Sequence, residues 1–197
     1  MPARESRMLA LGTPAPDFAL ADPAGKRFAL PDFAGSKGLL VAFICNHCPY
    51  VKHLLDGFVR FAREYGPKGI AIVAINPNDA AAYPEDDPQS MARIAAQKGF
   101  TFPYLIDETQ AVAKAYQAIC TPDFFLFDSA RTPAIPGGPL VYRGQFDASR
   151  PGNAQPVTGS DLRAAADALL AGRLLSQQTA SIGCSIKWKS GEAPTWA

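Results

Sequence analysis

The chain has 197 residues, 48% of them hydrophobic and 19% charged, and its 19 basic and 18 acidic side chains leave a formal net charge of +1. This balance excludes the basic surface of a nucleic-acid-binding or membrane-surface protein. The longest near-apolar runs are strand-length, far short of the roughly 20 residues that cross a bilayer. We therefore expect one soluble domain over residues 1–197, with neither nucleic acid nor membrane as a partner.

The amino-terminal segment MPARESRMLALG has only a short apolar stub where a secretory signal needs roughly 7–15 apolar residues. Four cysteines are also too few for a disulfide-built scaffold in a chain of this length. We therefore expect a cytoplasmic protein. We expect no cofactor, because the Gly137-Gly138 pair is flanked by prolines and opens no phosphate-binding helix.

The first half of the chain predicts a hairpin and two buried strands. Residues 13–34 alternate apolar and polar positions around the turn Asp22-Pro23-Ala24-Gly25, which predicts an N-terminal β-hairpin. Residues 38–44 and 70–75 are β-rich and uncharged, as strands covered on both faces of a sheet are.

An amphipathic helix is predicted between these two strands. Pro49 suits the first helical position, where a missing N–H costs nothing, and Gly66 ends the pattern. We therefore expect the helix to begin at Pro49 with Cys48 at or beside its N-cap. The apolar residues at helical spacing are Val51, Leu54, Leu55, Phe58, Ala62 and Tyr65.

The rest of the chain continues an α/β order. Helices are predicted over residues 88–98, 109–118 and 160–172, and strands over residues 104–106, 124–127 and 141–144. The stretches rich in proline and glycine, at 84–88, 132–139 and 149–156, are loop-length, so no domain boundary is predicted. The last 20 residues carry Cys184 and Trp188 without a clear period.

Cys45 and Cys48 form a C-x-x-C between the strand VAFI and the predicted helix, and the strand IAIVAI and the segment ICTPDFFLFD follow. This arrangement resembles the thioredoxin-like superfamily, in its redoxin branch that includes the AhpC/TSA-type peroxiredoxins. The resemblance covers roughly residues 14–171 and leaves the tail, residues 173–197, outside with no predicted role. It implies a three-layer α/β fold with a central mixed β-sheet, an N-terminal β-hairpin and flanking helices.

The position of the helix decides which cysteine attacks. A thiolate at a helix N-terminus faces free N–H groups and the positive end of the helix dipole, which lowers a cysteine pKa from about 8.5 to about 3.5–7.5. The helix phase therefore assigns Cys48 as the attacking thiol and Cys45, on the loop leaving the strand, as the resolving thiol. The usual motif reading would reverse the two. We expect the pair to cycle between dithiol and disulfide.

The resemblance also assigns roles to Thr121 and Pro122. Pro122 resembles the cis-proline of thioredoxin-like folds, which faces the redox pair. In those folds the backbone before the proline, here that of Thr121, is free to pair with a substrate peptide.

Further candidates surround the pair. His47 and His53 could each support a thiolate or move a proton, and the alternative for both is a solvated polar side chain. Cys120 is a candidate third redox thiol, and its alternative is a small residue that fills the core. Asn46 and Tyr50 are expected to shape substrate access.

Three functions stay open at this point. The first is a thiol-disulfide oxidoreductase that acts on a protein or small-molecule disulfide and is recharged by an upstream thiol reductant. The second is a thiol peroxidase that reduces hydroperoxides with Cys48. It is weakened because Pro122 stands where peroxiredoxins usually carry an activating arginine, and Cys45 replaces their motif threonine.

The third function is a non-catalytic binding or metal-binding protein. Cys45, His47, Cys48 and His53 are all residue types that bind zinc. Structural zinc sites usually draw two ligands from a second segment, and the chain has neither a second C-x-x-C nor an H-x-x-x-H. No metal is therefore expected.

Overall fold

The structure is a computed structural model that describes residues 3–130 and 137–197. Its strands are β1 (Ala3–Glu5), β2 (Ala19–Ala21), β3 (Arg27–Ala29), β4 (Gly38–Phe43), β5 (Ile70–Asn76), β6 (Tyr104–Ile106), β7 (Cys120–Thr121), β8 (Asp123–Phe127), β9 (Leu140–Gly144) and β10 (Ile182–Ser185). Its helices are α1 (Pro49–Tyr65), α2 (Pro88–Lys98), α3 (Ala111–Ala115) and α4 (Ser160–Leu170). Most of the loop predicted at 132–139 lies outside the described residues. Among the helices described, none has the length and apolar character needed to cross a membrane.

Seven strands form a mixed central sheet in the order β3-β2-β6-β5-β4-β8-β9. Strands β4, β5 and β6 are parallel neighbours, and α1 connects β4 to β5. Strands β2, β8 and β9 run antiparallel to their neighbours, and β2 and β3 form the predicted N-terminal hairpin.

Helices cover both faces of this sheet. In the central strand β4, Leu40 and Ala42 pack into the apolar cluster that holds the buried faces of α1 and α4. The alternate residues Leu39, Val41 and Phe43 pack into a second cluster with α3. All five side chains are fully buried. This confirms the predicted three-layer α/β fold and the burial of this strand on both faces.

The predicted start of α1 is confirmed, with Cys48 at the N-cap and Pro49 at the first helical position. An earlier start would put Pro49 inside the helix, where its ring would clash with the carbonyl of Cys45. The buried face of α1 includes Leu55 and Phe58. Burying one such side chain fully stabilises the fold by about 1.5–3 kcal/mol, which fixes the helix against the sheet.

Two predicted helices are shorter than expected: the one predicted over 160–172 ends at Leu170, and the one predicted over 109–118 has half its expected length. Residues 109–118 form a helix only over Ala111–Ala115, because Gln110 adopts the left-handed conformation with φ of 61° and cannot belong to a right-handed helix. The helix predicted over 88–98 has its expected limits. Asp87 caps it by accepting a hydrogen bond from the Ser90 N–H, and the left-handed Gly99 ends it.

A second, three-stranded antiparallel sheet, β1-β10-β7, was not predicted. The C-terminal strand β10 lies in its centre, with Cys184 opposite Thr121 on one side and Ala3 on the other. Strands of two to four residues are too short to show an alternating pattern. The tail therefore packs beside the segment that contains Pro122.

A buried ion pair ties this second sheet to the central one. The side chains of Arg143 on β9 and Asp123 on β8 are fully buried, and Arg143 Nη2 lies 3.4 Å from Asp123 Oδ2. Ser6, which follows β1, donates a hydrogen bond from Oγ to Asp123 Oδ1 over 2.8 Å. Burial raises the pKa of Asp123 to about 6 against the opposing effect of Arg143, so the carboxylate is charged at neutral pH.

We expect Asp123→Asn to lower the free energy of unfolding by about 3–5 kcal/mol, because the substitution leaves the Arg143 charge buried without a counter-ion. Urea denaturation at neutral pH measures this change. The double variant Asp123→Asn/Arg143→Met, which removes both charges, should be more stable than Asp123→Asn alone. A double variant whose loss equals the sum of the two single losses would show that the pair is not coupled.

Candidate active site

Cys48 is fully buried at the N-terminus of α1. Its pKa is lowered from 9.0 to about 5, first by hydrogen bonding from the Cys45 thiol and then by the Cys184 thiol, against the opposing effect of burial. The backbone N–H groups of Val51 and Cys184 lower it further. A thiolate surrounded by such donors is charged at neutral pH and is a nucleophile.

Cys45 lies on the loop that leaves β4, and its environment opposes ionisation. Burial raises its pKa well above 9.0, and the Cys48 contact and the negative charge of Asp86 raise it further. Cys45 Sγ is hydrogen-bonded to Thr121 Oγ1 over 3.1 Å. The pair is thus asymmetric, with the charge on Cys48 and the proton on Cys45.

The Thr121–Pro122 peptide bond is cis, as the resemblance implied. Cys48 Sγ lies 3.1 Å from the carbonyl oxygen of Thr121, to which its thiol form donates. The expectation that the Thr121 backbone is free for a substrate peptide is wrong, because Thr121 pairs with Cys184 of β10. The backbone edge of Thr121 that a substrate peptide would pair with is therefore occupied by β10 of the same chain.

A buried carboxylate fixes the two residues between the cysteines. Asp86 Oδ1 accepts a 2.6 Å hydrogen bond from the Asn46 N–H, and Asp86 Oδ2 accepts one from His47 Nδ1 over 2.5 Å. Asn78 Nδ2 donates to the same carboxylate over 2.8 Å. His47 stacks on Tyr83 with ring centroids 5.2 Å apart. Asp86 therefore sets the conformation of the C-x-x-C loop.

Asp86 and Cys184 are the site residues that sequence reasoning missed. Asp86 stands in the acidic loop PEDDP, where nothing in the sequence distinguishes it from its neighbours Glu85, which is exposed, and Asp87, which is half-buried. The one available signal for Cys184 was the presence of a thiol in a tail without a period.

Among residues 3–130 and 137–197, one group of three side chains could hold a metal ion. A sulfur of Cys45, a ring nitrogen of His47 and a carboxylate oxygen of Asp86 lie within 4.8 Å of one another. The Nδ1 atom of His47 is already hydrogen-bonded to the carboxylate, whereas His47 Nε2 is buried and has no hydrogen-bond partner among the described residues. We therefore interpret the group as a hydrogen-bonded support of the cysteine loop.

The other predicted candidates are placed as follows. Cys120 is fully buried, and burial raises its pKa well above 9.0, which makes its thiolate scarce at neutral pH. His53 Nε2 is 2.7 Å from Ser149 Oγ, so it has a partner away from the pair.

The two residues expected to shape substrate access are both packed against other parts of the fold. Asn46 is held by hydrogen bonds with Asp86, Glu85 and Tyr104. Tyr50 is half-buried against the core cluster that contains both cysteines of the pair.

A cysteine at the start of a helix after a central strand, facing a cis-proline, is the arrangement of the thioredoxin-like proteins. The AhpC/TSA family matches residues 11–132, more than half of the chain, and the chain therefore belongs to the AhpC/TSA family. Among curated relatives, the thiol-disulfide oxidoreductase ResA of Geobacillus kaustophilus is 30% identical over 124 residues, which cover 63% of this chain and 67% of that protein. ResA of Bacillus subtilis is 28% identical over 117 residues, 59% of this chain and 61% of that protein.

Two solved structures resemble the whole chain. An uncharacterized conserved protein from Geobacillus kaustophilus has 53% sequence identity and a TM-score of 0.90, with 96% of this chain and 97% of that chain covered. A hypothetical protein from Sinorhizobium meliloti has 49% identity and a TM-score of 0.89, with 95% and 99% covered. A putative thiol:disulfide interchange protein DsbE from Chlorobium tepidum, at 23% identity and a TM-score of 0.60, shares the fold over 82% of this chain and 99% of that chain.

We expect Cys45→Ala to raise the pKa of Cys48 by roughly 1 to 2, because a hydrogen bond to a charged group contributes about 1.5–3 kcal/mol. The ultraviolet absorbance of the thiolate, titrated against pH, measures this without a reagent having to reach the buried sulfur. The matched control Cys45→Ser keeps a hydroxyl donor and should leave the pKa lower than Cys45→Ala does. Equal pKa values in the two variants would show that this hydrogen bond does not hold the thiolate.

We expect Asp86→Asn to lower the pKa of Cys45, because it removes a negative charge that opposes the Cys45 thiolate. The carbon-13 shift of the Cys45 Cβ atom against pH, in a Cys48→Ser background, reports this pKa without a reagent that has to reach the buried sulfur. Glu85→Gln removes the neighbouring carboxylate, which is exposed and paired with Lys52, and should leave the profile unchanged. An unchanged profile in Asp86→Asn would contradict the role of this charge.

Proposed function

We propose that the protein catalyses thiol–disulfide exchange, with Cys48 as the attacking thiol and Cys45 as the resolving thiol. The observation that carries this proposal is the asymmetric pair, in which the Cys48 pKa is lowered to about 5 while that of Cys45 is raised well above 9.0. The ResA relatives, named thiol-disulfide oxidoreductases, support the same class of enzyme.

The reaction begins on Cys48. Its thiolate attacks one sulfur of a disulfide RS–SR′, the S–S bond breaks, and R′S⁻ leaves and takes up a proton. A mixed disulfide between Cys48 and RS remains. Because Cys48 has then lost its negative charge, one of the effects that raise the pKa of Cys45 is removed.

Resolution then transfers the disulfide to the enzyme. Cys45 loses its proton, its thiolate attacks Cys48 Sγ, and RS⁻ leaves as the Cys45–Cys48 disulfide forms. The imidazole of His47 lies beside Cys45, with a ring nitrogen within 4.8 Å of Cys45 Sγ. Its Nδ1 atom is bonded to Asp86, and its buried Nε2 atom has no hydrogen-bond partner among the described residues, so we assign Nε2 as the acceptor of that proton. A thiol reductant returns the disulfide to the dithiol, so two electrons pass from the reductant to the substrate.

We propose the cytoplasm as the compartment of this reaction. Cysteine pairs in a reducing compartment are more often catalytic than structural, and Cys120 and Cys184 are further unbridged, buried thiols. Fractionation of the native organism, with an antibody against the full chain, tests this assignment. Recovery with secreted or envelope proteins would contradict it.

The function is tested by a single turnover of reduced protein with oxidised glutathione. We expect the wild type to release two glutathione molecules per chain, and Cys48→Ser to release none, because the resolving thiol has no mixed disulfide to attack. Lys52→Met, a change of an exposed side chain in the same helical turn, is the control that should react as the wild type does.

The same protein tested with hydrogen peroxide separates the alternatives. Rapid peroxide consumption with sulfenic acid on Cys48, and slow reaction with glutathione disulfide, would replace the proposal by a peroxidase. Reaction with neither oxidant would replace it by a binding protein.

A further inference from the structure

The C-terminal strand β10 lies where a thioredoxin-like protein is expected to receive a substrate peptide. It pairs antiparallel with β7, with Cys184 opposite Thr121. A Cβ atom built on Gly183 would lie 2.0 Å from the carbonyl oxygen of Thr121 and 2.9 Å from the nitrogen of Pro122. Only glycine allows the strand to approach this turn so closely.

The strand is anchored at both ends. The Ser6 N–H donates to the carbonyl of Ser181 over 2.8 Å, and the Ile186 N–H donates to the carbonyl of Ile119 over 2.9 Å. Beyond β10, the Lys187 N–H donates to Asn78 Oδ1 over 2.9 Å. These bonds hold Cys184 in a fixed place.

That place is beside the attacking thiol. Cys48 Sγ lies 3.1 Å from the carbonyl of Thr121, the residue that pairs with Cys184. Cys48 is 0% exposed and Cys184 is 3% exposed, and both belong to one buried cluster with Cys45. Cys48 therefore has hydrogen-bonding contacts with two thiols, one from the loop and one from the tail.

We propose that Cys184 is a second resolving thiol for Cys48, presented by β10 at the position that a substrate's cysteine would take. This proposal rests on the proposed function, because it requires that Cys48 attack a disulfide. The match to the AhpC/TSA family ends at residue 132, so the family assignment gives Cys184 no role.

The proposed reaction of Cys184 is a thiol–disulfide exchange. An external disulfide reaches the buried Cys48 when β10 opens locally, and the mixed disulfide forms. When β10 closes, the Cys184 thiol loses its proton, its thiolate attacks Cys48 Sγ, and the substrate thiol leaves as a thiolate that takes up a proton. The oxidant is the same external disulfide, and the product is a Cys48–Cys184 disulfide.

The electrostatics of the site change in favour of this step. In the reduced protein, burial and then the contacts with Cys48 raise the pKa of Cys184 to about 12, against the opposing effect of Lys187. A mixed disulfide on Cys48 carries no charge there, so the opposition from Cys48 is removed while the effect of Lys187 remains.

The test uses the full chain and oxidised glutathione in single turnover, read by intact mass. Cys45→Ser should release both glutathione molecules and contain a Cys48–Cys184 disulfide, located by peptide mapping after acid quench. Cys45→Ser/Cys184→Ser should keep one glutathione on Cys48, because neither resolving thiol remains.

Retention of glutathione by Cys45→Ser, or a bridge from Cys48 to Cys120, would overturn the role of Cys184. If the wild type releases two glutathione molecules in the same assay, the proposed function survives that result. A wild type that does not react overturns both. If the variants lose the circular dichroism signal of the folded protein, disulfide mapping of partly oxidised wild type replaces this assay. Both Cys45–Cys48 and Cys48–Cys184 bridges are then expected. Finding the Cys45–Cys48 bridge alone would contradict the proposal.

Gly183→Ala, added to Cys45→Ser, tests the position of the strand. The new Cβ forces β10 away from Thr121. We expect faster formation of the mixed disulfide, because Cys48 becomes accessible, and slower release of the second glutathione, because Cys184 is displaced. A variant in which both steps slow equally would indicate a structural role alone.

Discussion

Thr121 contacts the site at three points, and these contacts bring the Cys45–Cys48 pair together with Cys184 from a distant part of the sequence. Its hydroxyl group binds Cys45, its carbonyl oxygen faces Cys48, and its backbone pairs with Cys184. The cis bond to Pro122 follows directly, and Asp123 then enters the buried ion pair with Arg143. The short segment from Thr121 to Asp123 thus links the redox pair, the tail strand and the core of the sheet.

Burial causes the large difference in pKa between Cys48 and Cys45. A buried thiolate is unfavourable unless donors surround it, and the donors around Cys48 are thiols and backbone N–H groups. The same burial raises the pKa of Cys45, the Cys48 contact and the like charge of Asp86 raise it further, and the hydrogen bond with Thr121 only partly opposes them. One negative charge is therefore stable among the three neighbouring thiols, and it lies on Cys48 until a disulfide removes it.

Helix and strand patterns in the sequence predicted the parts of the site that depend on residues close together in the chain. Pro49 cannot lie inside a helix, so the sequence alone could assign Cys48 to the N-cap. The central strand was visible as an uncharged, β-rich run and the helix through its amphipathic spacing. The cis-proline was visible through the resemblance of ICTPDFFLFD.

The pairing of strands that are distant in the sequence could not be predicted from such local patterns. Strand β10 has four residues and pairs with strands about 60 and 180 positions away in the chain, so no local pattern indicates it. The expectation of a free Thr121 backbone failed for this reason. Asp86 was missed because a buried carboxylate and its less buried neighbours have the same side-chain type in a loop, and only the fold brings Asp86 to the cysteine loop.

The central claim is that Cys48 carries the charge of the pair. Nuclear magnetic resonance of the reduced wild-type chain, labelled with carbon-13 at the cysteine Cβ atoms, follows each thiol separately against pH. The account predicts that Cys48 titrates at about pH 5 and that Cys45, Cys120 and Cys184 keep their protons through neutral pH. Titration of Cys45 before Cys48 would contradict it.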